Sequence, residues 1–438
     1  MTASDHDRGR AAAPDELRRA GGEQATKRFF SSRWVEVPDS VREDPAGGLP
    51  GGFRAAGVAA GIKPSGGKDV ALLVSDAAET TSAARFTRSG VLAAPVLLTQ
   101  ERCNLGAIRA VVANSGNANA ATGGRGLDDA AKMQGAGAMA AGVEADRVAV
   151  ASTGVIGVPL DSQAVVSGLA RARAELRADG DADFAAAIMT TDAFEKRATL
   201  AVDLPDGTVR LSAQAKGAGM IQPSFATLLC FVQTDAVLSA ETADLLLGVC
   251  VKRSFDRISV DGQLSTNDTA ILMCSGASGV AVEPESEAEL AFGHALDALL
   301  RQLALSMVRD GEGAKRVGRI VVRGGHLASV EVAARAVANS PLVKAALHGG
   351  DPNWGRIVQS VGMALPETAP LPVDVTIEGV RVCARGAAAE FDKADLAERV
   401  AGGEVEYVVD LPGDGAETEV FFSDLSHEYV TINAEYTT

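Results

Sequence analysis

The stretch 216–235 constrains the fold more than any other part of this 438-residue chain. A turn that contains Gly217 and Gly219 leads to a single threonine, Thr227, and the apolar run 228–232 follows it directly. Because that run is short, continuous and apolar, it predicts a buried β-strand. Thr227 therefore lies where a loop meets a rigid strand, a suitable place for a precisely oriented side chain.

The hydroxyl of Thr227 is a weak nucleophile unless a base lies beside it. If the chain were cut before Thr227, the released α-amino group, with a reference pKa of roughly 7.7–8.0, could be that base. Gly217 and Gly219 permit backbone conformations that other residues resist, so the turn could hold a strained Ala226–Thr227 bond ready for attack by the hydroxyl. The structural alternative is a β-branched residue that simply favours the start of a strand.

Composition narrows the classes of partner. Apolar residues make up 47% of the chain and charged residues 22%, as in ordinary globular proteins. The net charge of −16 argues against nucleic acid and acidic membranes, since both are bound by basic surfaces. A small zwitterionic substrate is still allowed, because local groups decide the charge of a site.

Cysteine and histidine patterns give no sign of a metal site or a disulfide framework. The five cysteines are scattered without a C-x-x-C pair, and the five histidines show no H-x-x-x-H pair. We therefore expect reduced thiols and no metal. No apolar run reaches about 18 residues, and the N-terminus lacks a signal-peptide core, so the sequence predicts a cytoplasmic protein.

The chain has a polar N-terminal segment, and the longer part that follows shows the hydrophobic patterns of strands and helices. Residues 1–48 are rich in Arg, Asp, Glu, Ala, Gly and Pro, which predicts a disordered N-terminal extension. Beyond it, strand-length apolar runs alternate with helical patterns in both halves. This alternation predicts an α+β sandwich with helices outside paired sheets.

The segments on both sides of Thr227 resemble a known family. Residues 216–229 read K-G-A-G-M-I-Q-P-S-F-A-T-L-L. This is similar to the self-cleavage site of the glutamate N-acetyltransferase (ornithine acetyltransferase) family, usually K-G-S/A-G-M-I-x-P-x-M-A-T-M-L. Other segments resemble the family in the same order along the chain: 65–66, 114–120, 152–157, 190–192, 265–268, 309–314, 351–356 and 433–438.

The resemblance implies a fold, a processing event and a reaction. It implies two β-sheets sandwiched between helix layers (αββα), with a smaller C-terminal lobe from about residue 310. It implies self-cleavage between Ala226 and Thr227, giving an α fragment that contains 49–226 and a β fragment, 227–438. The family moves an acetyl group from N2-acetyl-L-ornithine to L-glutamate through an acetyl-threonine intermediate. Its members need no cofactor, and the resemblance leaves open whether acetyl-CoA also serves as an acetyl donor. Two α and two β fragments are the expected assembly.

The resemblance also assigns roles to residues. It makes Thr227 the nucleophile, and it places the oxyanion hole at the Thr153 side chain and the Gly154 N–H. Lys216 is expected to pair with the α-carboxylate that both substrates carry, and Glu312 with the ornithine ammonium. The remaining substrate-binding positions that it implies are Thr190 or Thr191, Asn433 and Thr438.

Some residues depart from the family pattern. Phe225 replaces a usual Met, Ala121 stands where Cys is common, and Gln263-Leu264 replace Asp-Thr. The change at Gln263 removes a carboxylate near the site and leaves room for a specialised secondary-pathway paralogue with another acyl donor. Two further hypotheses are an N-terminal-nucleophile amidase or aminopeptidase that uses water as the acceptor, and a binding protein that never cuts itself.

Overall fold

This computed structural model of the chain describes residues 28–222 and 228–435. Those residues form seventeen β-strands and eleven α-helices. The strands are β1 (Val41–Glu43), β2 (Phe53–Val58), β3 (Val70–Ser75), β4 (Thr81–Phe86), β5 (Ala110–Asn117), β6 (Val148–Val155), β7 (Lys196–Leu204), β8 (Gly207–Lys216), β9 (Leu229–Thr234), β10 (Ile258–Ser259), β11 (Thr269–Cys274), β12 (Val317–Arg323), β13 (Asp374–Ile377), β14 (Val380–Ala384), β15 (Ala387–Ala388), β16 (Glu404–Asp410) and β17 (Glu417–Ser423). The helices are α1 (Ala94–Arg102), α2 (Gly123–Ala141), α3 (Ser162–Glu175), α4 (Asp181–Ile188), α5 (Ala240–Arg253), α6 (Glu287–Arg309), α7 (Leu327–Asn339), α8 (Pro341–Gly349), α9 (Trp354–Ala364), α10 (Lys393–Arg399) and α11 (His427–Glu435).

Two sheets pack face to face in the larger part of the molecule. One has the order β1-β7-β8-β9-β11-β4 and the other β2-β3-β5-β6. The run that follows Thr227 forms β9, near the centre of the first sheet. Leu229 and Phe231 point into the core between the sheets, whereas Cys230 and Val232 point to the helix side. Both faces of β9 are therefore buried, which explains why its sequence is apolar at successive positions.

Helices cover the outer face of each sheet. α5 and α6 pack on the six-stranded sheet through residues such as Leu247 and Leu299. α1, α2 and α3 pack on the four-stranded sheet, with Leu98, Met133 and Leu169 in the same buried cluster as its strands. The order of layers is helix, sheet, sheet, helix, so the predicted αββα class is confirmed.

A smaller lobe follows α6. Its seven-stranded sheet has the order β10-β17-β12-β16-β13-β14-β15, and helices α7 to α10 contribute to its own apolar core. β10 belongs to the chain between α5 and β11, and it pairs in parallel with β17. This pairing joins the lobe to the sandwich by backbone hydrogen bonds.

The prediction of a disordered extension over residues 1–48 is wrong for its last part. Val41 pairs with Val202 as β1 adds to the edge of the six-stranded sheet. Trp34 packs beside Phe421, with ring centroids 5.5 Å apart, and Phe29 packs against the sandwich core. These partners are distant in sequence, so local composition could not reveal them. Residues 1–27 lie outside the described residues.

No helix in the described ranges combines the length and the apolar character that crossing a membrane requires.

We predict that Phe231→Ala will lower the free energy of unfolding by about 3–5 kcal/mol, because it opens a cavity between the two sheets. Phe231 is fully buried and meets Phe184 edge to face, with ring centroids 5.4 Å apart. Urea unfolding followed by circular dichroism measures the change. The control is Val249→Ala on α5, where the side chain is 48% exposed and the expected change is within about 0.5 kcal/mol. Equal midpoints for the two variants would contradict this account of the core.

Candidate active site

One cavity of about 160 Å³ lies where both sheets of the sandwich meet the C-terminal lobe. It is formed at the ends of β6 and β8, by the loops after α4 and α6, by the connection from β10 to β11, and by α11. The predicted site residues that line it are Thr153, Gly154, Thr190, Thr191, Lys216, Glu312 and Asn433. Ala226, Thr227 and Thr438, the other predicted site residues, lie outside the described residues.

Lys216 is the buried cation of the cavity. It ends β8 and is 3% exposed. Its Nζ donates hydrogen bonds to Thr190 Oγ1 at 2.8 Å and to Thr153 Oγ1 at 3.4 Å. Burial lowers the pKa of the Lys216 ammonium, and the negative charge of Asp192 opposes that effect. Because Lys216 donates to the Thr153 oxygen, the Thr153 hydroxyl keeps its own hydrogen for another acceptor.

Asp192 compensates the charge of Lys216 from behind the cavity wall. Its carboxylate lies 3.8 Å from Lys216 Nζ and 2.7 Å from Lys196 Nζ, and its side chain is fully buried. It also accepts backbone hydrogen bonds from Gly217 at 2.8 Å and Thr190 at 3.0 Å. Burial alone would raise the pKa of Asp192, but the two lysines outweigh it and the pKa is lowered.

Asp310 completes this charged cluster from the end of α6. Its carboxylate lies 2.5 Å from Lys196 Nζ and accepts the Ala193 N–H at 3.1 Å. Burial raises the pKa of Asp310 to about 6, although Lys196 opposes the change. The cluster therefore contains two lysines and two aspartates, and it fixes the end of α6 to the segment around residues 190–196.

Thr153 and Gly154 lie at the end of β6, against the end of β5. Gly154 has φ +135°, and a Cβ there would lie 2.4 Å from the Gly116 carbonyl carbon and 2.5 Å from the Asn117 nitrogen. Only glycine allows this close approach of two backbones. Asn267 fixes the same strand end, since its Nδ2 donates to the Ser152 carbonyl at 2.9 Å. A hydroxyl and a backbone N–H at such a fixed place can serve as oxyanion donors.

The glycine turn before the predicted cut is fixed by a second carboxylate, Asp261. Its oxygens accept the N–H groups of Met220 at 2.6 Å and Ile221 at 3.0 Å. Met220 has φ +54°, a region that non-glycine residues seldom occupy, so these bonds hold a strained conformation. Burial raises the pKa of Asp261, and the backbone donors oppose the change.

Glu312 is a carboxylate that lines the same cavity as Lys216, and its negative charge acts to raise the pKa of Lys216. Asn433 on α11 donates from Nδ2 to Glu312 Oε2 at 2.6 Å, and the Glu312 N–H donates to the Ala218 carbonyl at 3.1 Å. A Cβ at Gly219 would lie 3.0 Å from Glu312 Oε1, so the glycine turn gives this carboxylate its room. The cavity is therefore lined by both a lysine, Lys216, and a carboxylate, Glu312.

Several residues of the site were not predicted from the sequence. Asp261 and Tyr429 line the cavity, and Lys196 supports it from behind. Burial raises the pKa of Tyr429 to about 12, and the nearby acidic side chains of Asp261 and Glu312 add to the effect. Asp192 and Asp310 do occur inside recognised segments, but nothing in the sequence showed that they share a lysine. In the described parts of the chain, no group of three or more His, Cys, Asp and Glu side chains could hold a metal ion.

The sandwich and the charged cavity at its strand ends define an α+β enzyme, and sequence comparison gives its family. The sequence model of the ArgJ family matches residues 54–438. The arginine biosynthesis bifunctional protein ArgJ of Symbiobacterium thermophilum is 43% identical over 399 residues, which cover 90% of this chain and 99% of the relative. The protein of the same name from Rhodopirellula baltica is 42% identical over 398 residues, 89% of this chain and 96% of the relative. The chain therefore belongs to the ArgJ family, and the predicted resemblance is confirmed.

Solved structures also match. The ornithine acetyltransferase of Mycobacterium tuberculosis, solved in complex with ornithine, is 40% identical to this chain. The match covers 43% of this chain and 100% of that one, with a TM-score of 0.39.

We predict that Asp192→Asn will lower the free energy of unfolding at neutral pH by about 3–5 kcal/mol, because it leaves buried lysine charge uncompensated. The pKa of Asp192 is lowered in the fold, so its stabilisation is present above the unfolded-state pKa of about 3.9 and is lost as the pH falls below it. Denaturant unfolding at a series of pH values measures both effects.

The matched control is Asp395→Asn, which removes an exposed i,i+4 pair between Asp395 and Arg399 on α10. We expect it to change stability by less than about 1 kcal/mol. If both variants lower the free energy of unfolding by the same amount, the buried charged cluster does not stabilise the fold more than an exposed ion pair does.

Proposed function

We propose that this chain transfers an acetyl group from N2-acetyl-L-ornithine to L-glutamate after cutting itself between Ala226 and Thr227. The acetyl carrier is the hydroxyl of Thr227, which becomes the first residue of the 227–438 fragment. One observation carries the proposal: predicted residues from five separate segments of the chain line a single cavity. The cavity has oxyanion donors, a cation and an anion, the groups that this reaction needs.

In the first half-reaction the Thr227 hydroxyl attacks the acetamide carbonyl of the donor. The new α-amino group of Thr227 takes the hydroxyl proton, and the negative charge that develops on the carbonyl oxygen is stabilised by Thr153 and Gly154. The tetrahedral intermediate then collapses, the proton passes to the ornithine nitrogen, and ornithine leaves. An acetyl-threonine ester remains.

In the second half-reaction the amine of glutamate attacks this ester. The same two donors stabilise the oxyanion, the proton of the attacking amine returns to the Thr227 oxygen, and N-acetylglutamate leaves. Each half-reaction has a lower barrier than direct transfer between two amines, which is the general advantage of a covalent intermediate.

The charges of the cavity fit the two substrates. Both carry an α-carboxylate, which Lys216 can bind beside the hydroxyls of Thr190 and Thr191. Ornithine also carries a side-chain ammonium, which Glu312 can bind with Asn433 holding the carboxylate in place. Thr438 is proposed as a further binding residue on the family resemblance alone.

Other parts of the proposal rest on family membership and composition. The relatives are named bifunctional proteins, which supports acetyl-CoA as a second acetyl donor for glutamate. We further propose an assembly of two α and two β fragments in the cytoplasm. The net charge of −16 supports a function without nucleic acid or membrane partners.

A specialised paralogue is the second candidate function, and one observation favours it. Gln263 lines the cavity in the segment where the family usually has a carboxylate, and its N–H donates to Asp261 at 3.1 Å. The loss of a negative charge at the cavity wall would favour a less cationic acyl donor than N-acetylornithine.

We predict that the purified wild-type protein will consist of fragments 1–226 and 227–438, and that Thr227→Ala will remain one intact chain without transfer activity. The reason is that one hydroxyl serves both the cut and the acetyl transfer. Mass spectrometry measures the cut. A product assay supplies glutamate with N-acetylornithine, with acetyl-CoA, or with another N-acyl amino acid.

Each outcome of that assay separates the candidate functions. Acetylglutamate from N-acetylornithine supports the proposal, whereas free acetate without acetylglutamate would indicate an amidase. Preference for another acyl donor would indicate the paralogue. An uncut wild-type chain without activity would indicate a binding protein, and a fully active uncut chain would exclude Thr227 as an N-terminal nucleophile.

We predict that Gly154→Ala will lower kcat by roughly 10²–10³-fold with little change in KM, since displacing one oxyanion donor acts on the transition state. The added Cβ would meet the backbone of Gly116 and Asn117, which cannot move aside as a side chain can. Steady-state kinetics with N-acetylornithine and glutamate measures the effect. The control is Gly135→Ala on α2, where a Cβ meets open space. A wild-type kcat for Gly154→Ala would show that the Gly154 N–H is not an oxyanion donor.

A further inference from the structure

The cavity has an apolar wall beside its two oxyanion donors. Ala118 and Ile156 line the cavity together with Thr153 and Gly154. Because Ile156 follows Gly154 by two residues, its Cα lies no more than about 7 Å from that of Gly154. Ala118 belongs to the same strand end, since its N–H donates to the Val155 carbonyl at 2.9 Å. Both side chains therefore lie close to the donors.

An acyl group bound at these donors needs such a wall. Its carbonyl oxygen would lie about 3 Å from the donors, and the rest of the group is hydrocarbon without hydrogen-bonding atoms. Burying hydrocarbon against apolar side chains is favourable, whereas burying it against polar ones leaves them unsatisfied. Most of the other described side chains of the cavity are polar or charged. Met220 is apolar as well, but it belongs to the glycine turn.

The wall is fixed from behind. Ile156 is partly buried, and it packs against three alanines that are at most 2% exposed: Ala93, Ala118 and Ala120. The Gly157 N–H donates to the Ala120 carbonyl at 2.9 Å, and Asn267 donates from Nδ2 to the Ala118 carbonyl at 2.7 Å. The segments on both sides of the wall are thus held by hydrogen bonds. A wall of fixed shape can distinguish acyl groups by length.

We propose that Ile156, supported by Ala118, limits the acyl donor to an acetyl group. The Ile156 side chain contacts the acetyl methyl and occupies the space that the further carbons of a propionyl or butyryl chain would need. One methylene in a hydrophobic pocket changes kcat/KM by about 10–200-fold, so a single side chain is sufficient for this selection.

This inference rests on the proposed function, because it needs Thr153 and Gly154 to bind the acyl oxygen. It adds the identity of the acyl group to that site. It concerns the acyl part of the donor and not the amine part, which Glu312 and Lys216 are proposed to bind. The two parts of the donor can therefore be tested separately.

The test compares Ile156→Val, which removes one carbon from the wall, with Ile156→Ala, which removes three. Each variant is assayed with glutamate and with N-acetyl-, N-propionyl- or N-butyrylornithine, and the acylglutamate formed is measured by mass spectrometry. We expect wild type to prefer acetyl over propionyl by at least about 10-fold in kcat/KM. Ile156→Val should lower this preference, and Ile156→Ala should lower the preference for acetyl over butyryl, each by about 10-fold or more.

The ratio of two donors on one variant separates selection from general damage. A partly unfolded preparation lowers the rate with every donor and leaves the ratio unchanged. The matched control is Val158→Ala, which lies two residues further along the chain, is 48% exposed and is not part of the cavity wall. Its ratios should equal those of wild type.

Wild-type ratios in both Ile156 variants would overturn the inference alone, provided that wild type transfers acetyl. A wild-type protein that transfers butyryl as well as acetyl would also overturn it, and this result needs no variant to fold. A wild-type protein that acylates glutamate from none of the three donors would overturn the proposed function, and the inference with it.

Discussion

The buried carboxylate of Asp192 is the interaction on which the site depends. Antiparallel pairing of β7 with β8 places Lys196 opposite Ala215, the neighbour of Lys216, and the ammonium groups of both lysines lie within 3.8 Å of the buried Asp192 carboxylate. Like charges in a medium of low dielectric constant repel strongly unless a counter-charge lies between them. Asp192 supplies that charge to both lysines, and Asp310 supplies a second one to Lys196. The cluster therefore fixes three segments in relation to one another.

The glycine turn that precedes the proposed cut is bonded to the same charged cluster. Asp192 accepts the N–H of Gly217 at the start of the turn, and Asp261 accepts those of Met220 and Ile221 towards its end. Three N–H groups of the turn are thus bonded to two carboxylates from different segments, which restricts its conformation. Fixing a loop in this way costs conformational entropy during folding, and the buried charges offset that cost.

The sequence predicted the parts of the structure that have a local pattern. The apolar run 228–232, predicted to be a buried strand, contributes its last four residues to β9. The family resemblance named candidate residues in segments that are distant in sequence, and seven of these residues line one cavity. Asp261 could not be predicted, because its role depends on three backbone groups that fold around it and not on any neighbour in sequence. The order around Trp34 was missed for the same reason, since its partner Phe421 lies at the other end of the chain.

In the proposed function, Thr153 and Gly154 are oxyanion donors, and preorganisation of these donors explains why so many backbone and side-chain constraints meet at the end of β6. The register between β5 and β6 shifts at Gly116 and Asn117, which brings the two strand ends close together. Asn267 bonds the carbonyls of Ala118 and Ser152, one from each side of this contact. Donors that already have their final geometry need not reorganise when charge develops, which is the main source of electrostatic stabilisation in enzymes. Gly154 thus permits the close approach of the two strand ends. The hydrogen bonds donated by the side-chain amide of Asn267 then hold the strand ends in that arrangement.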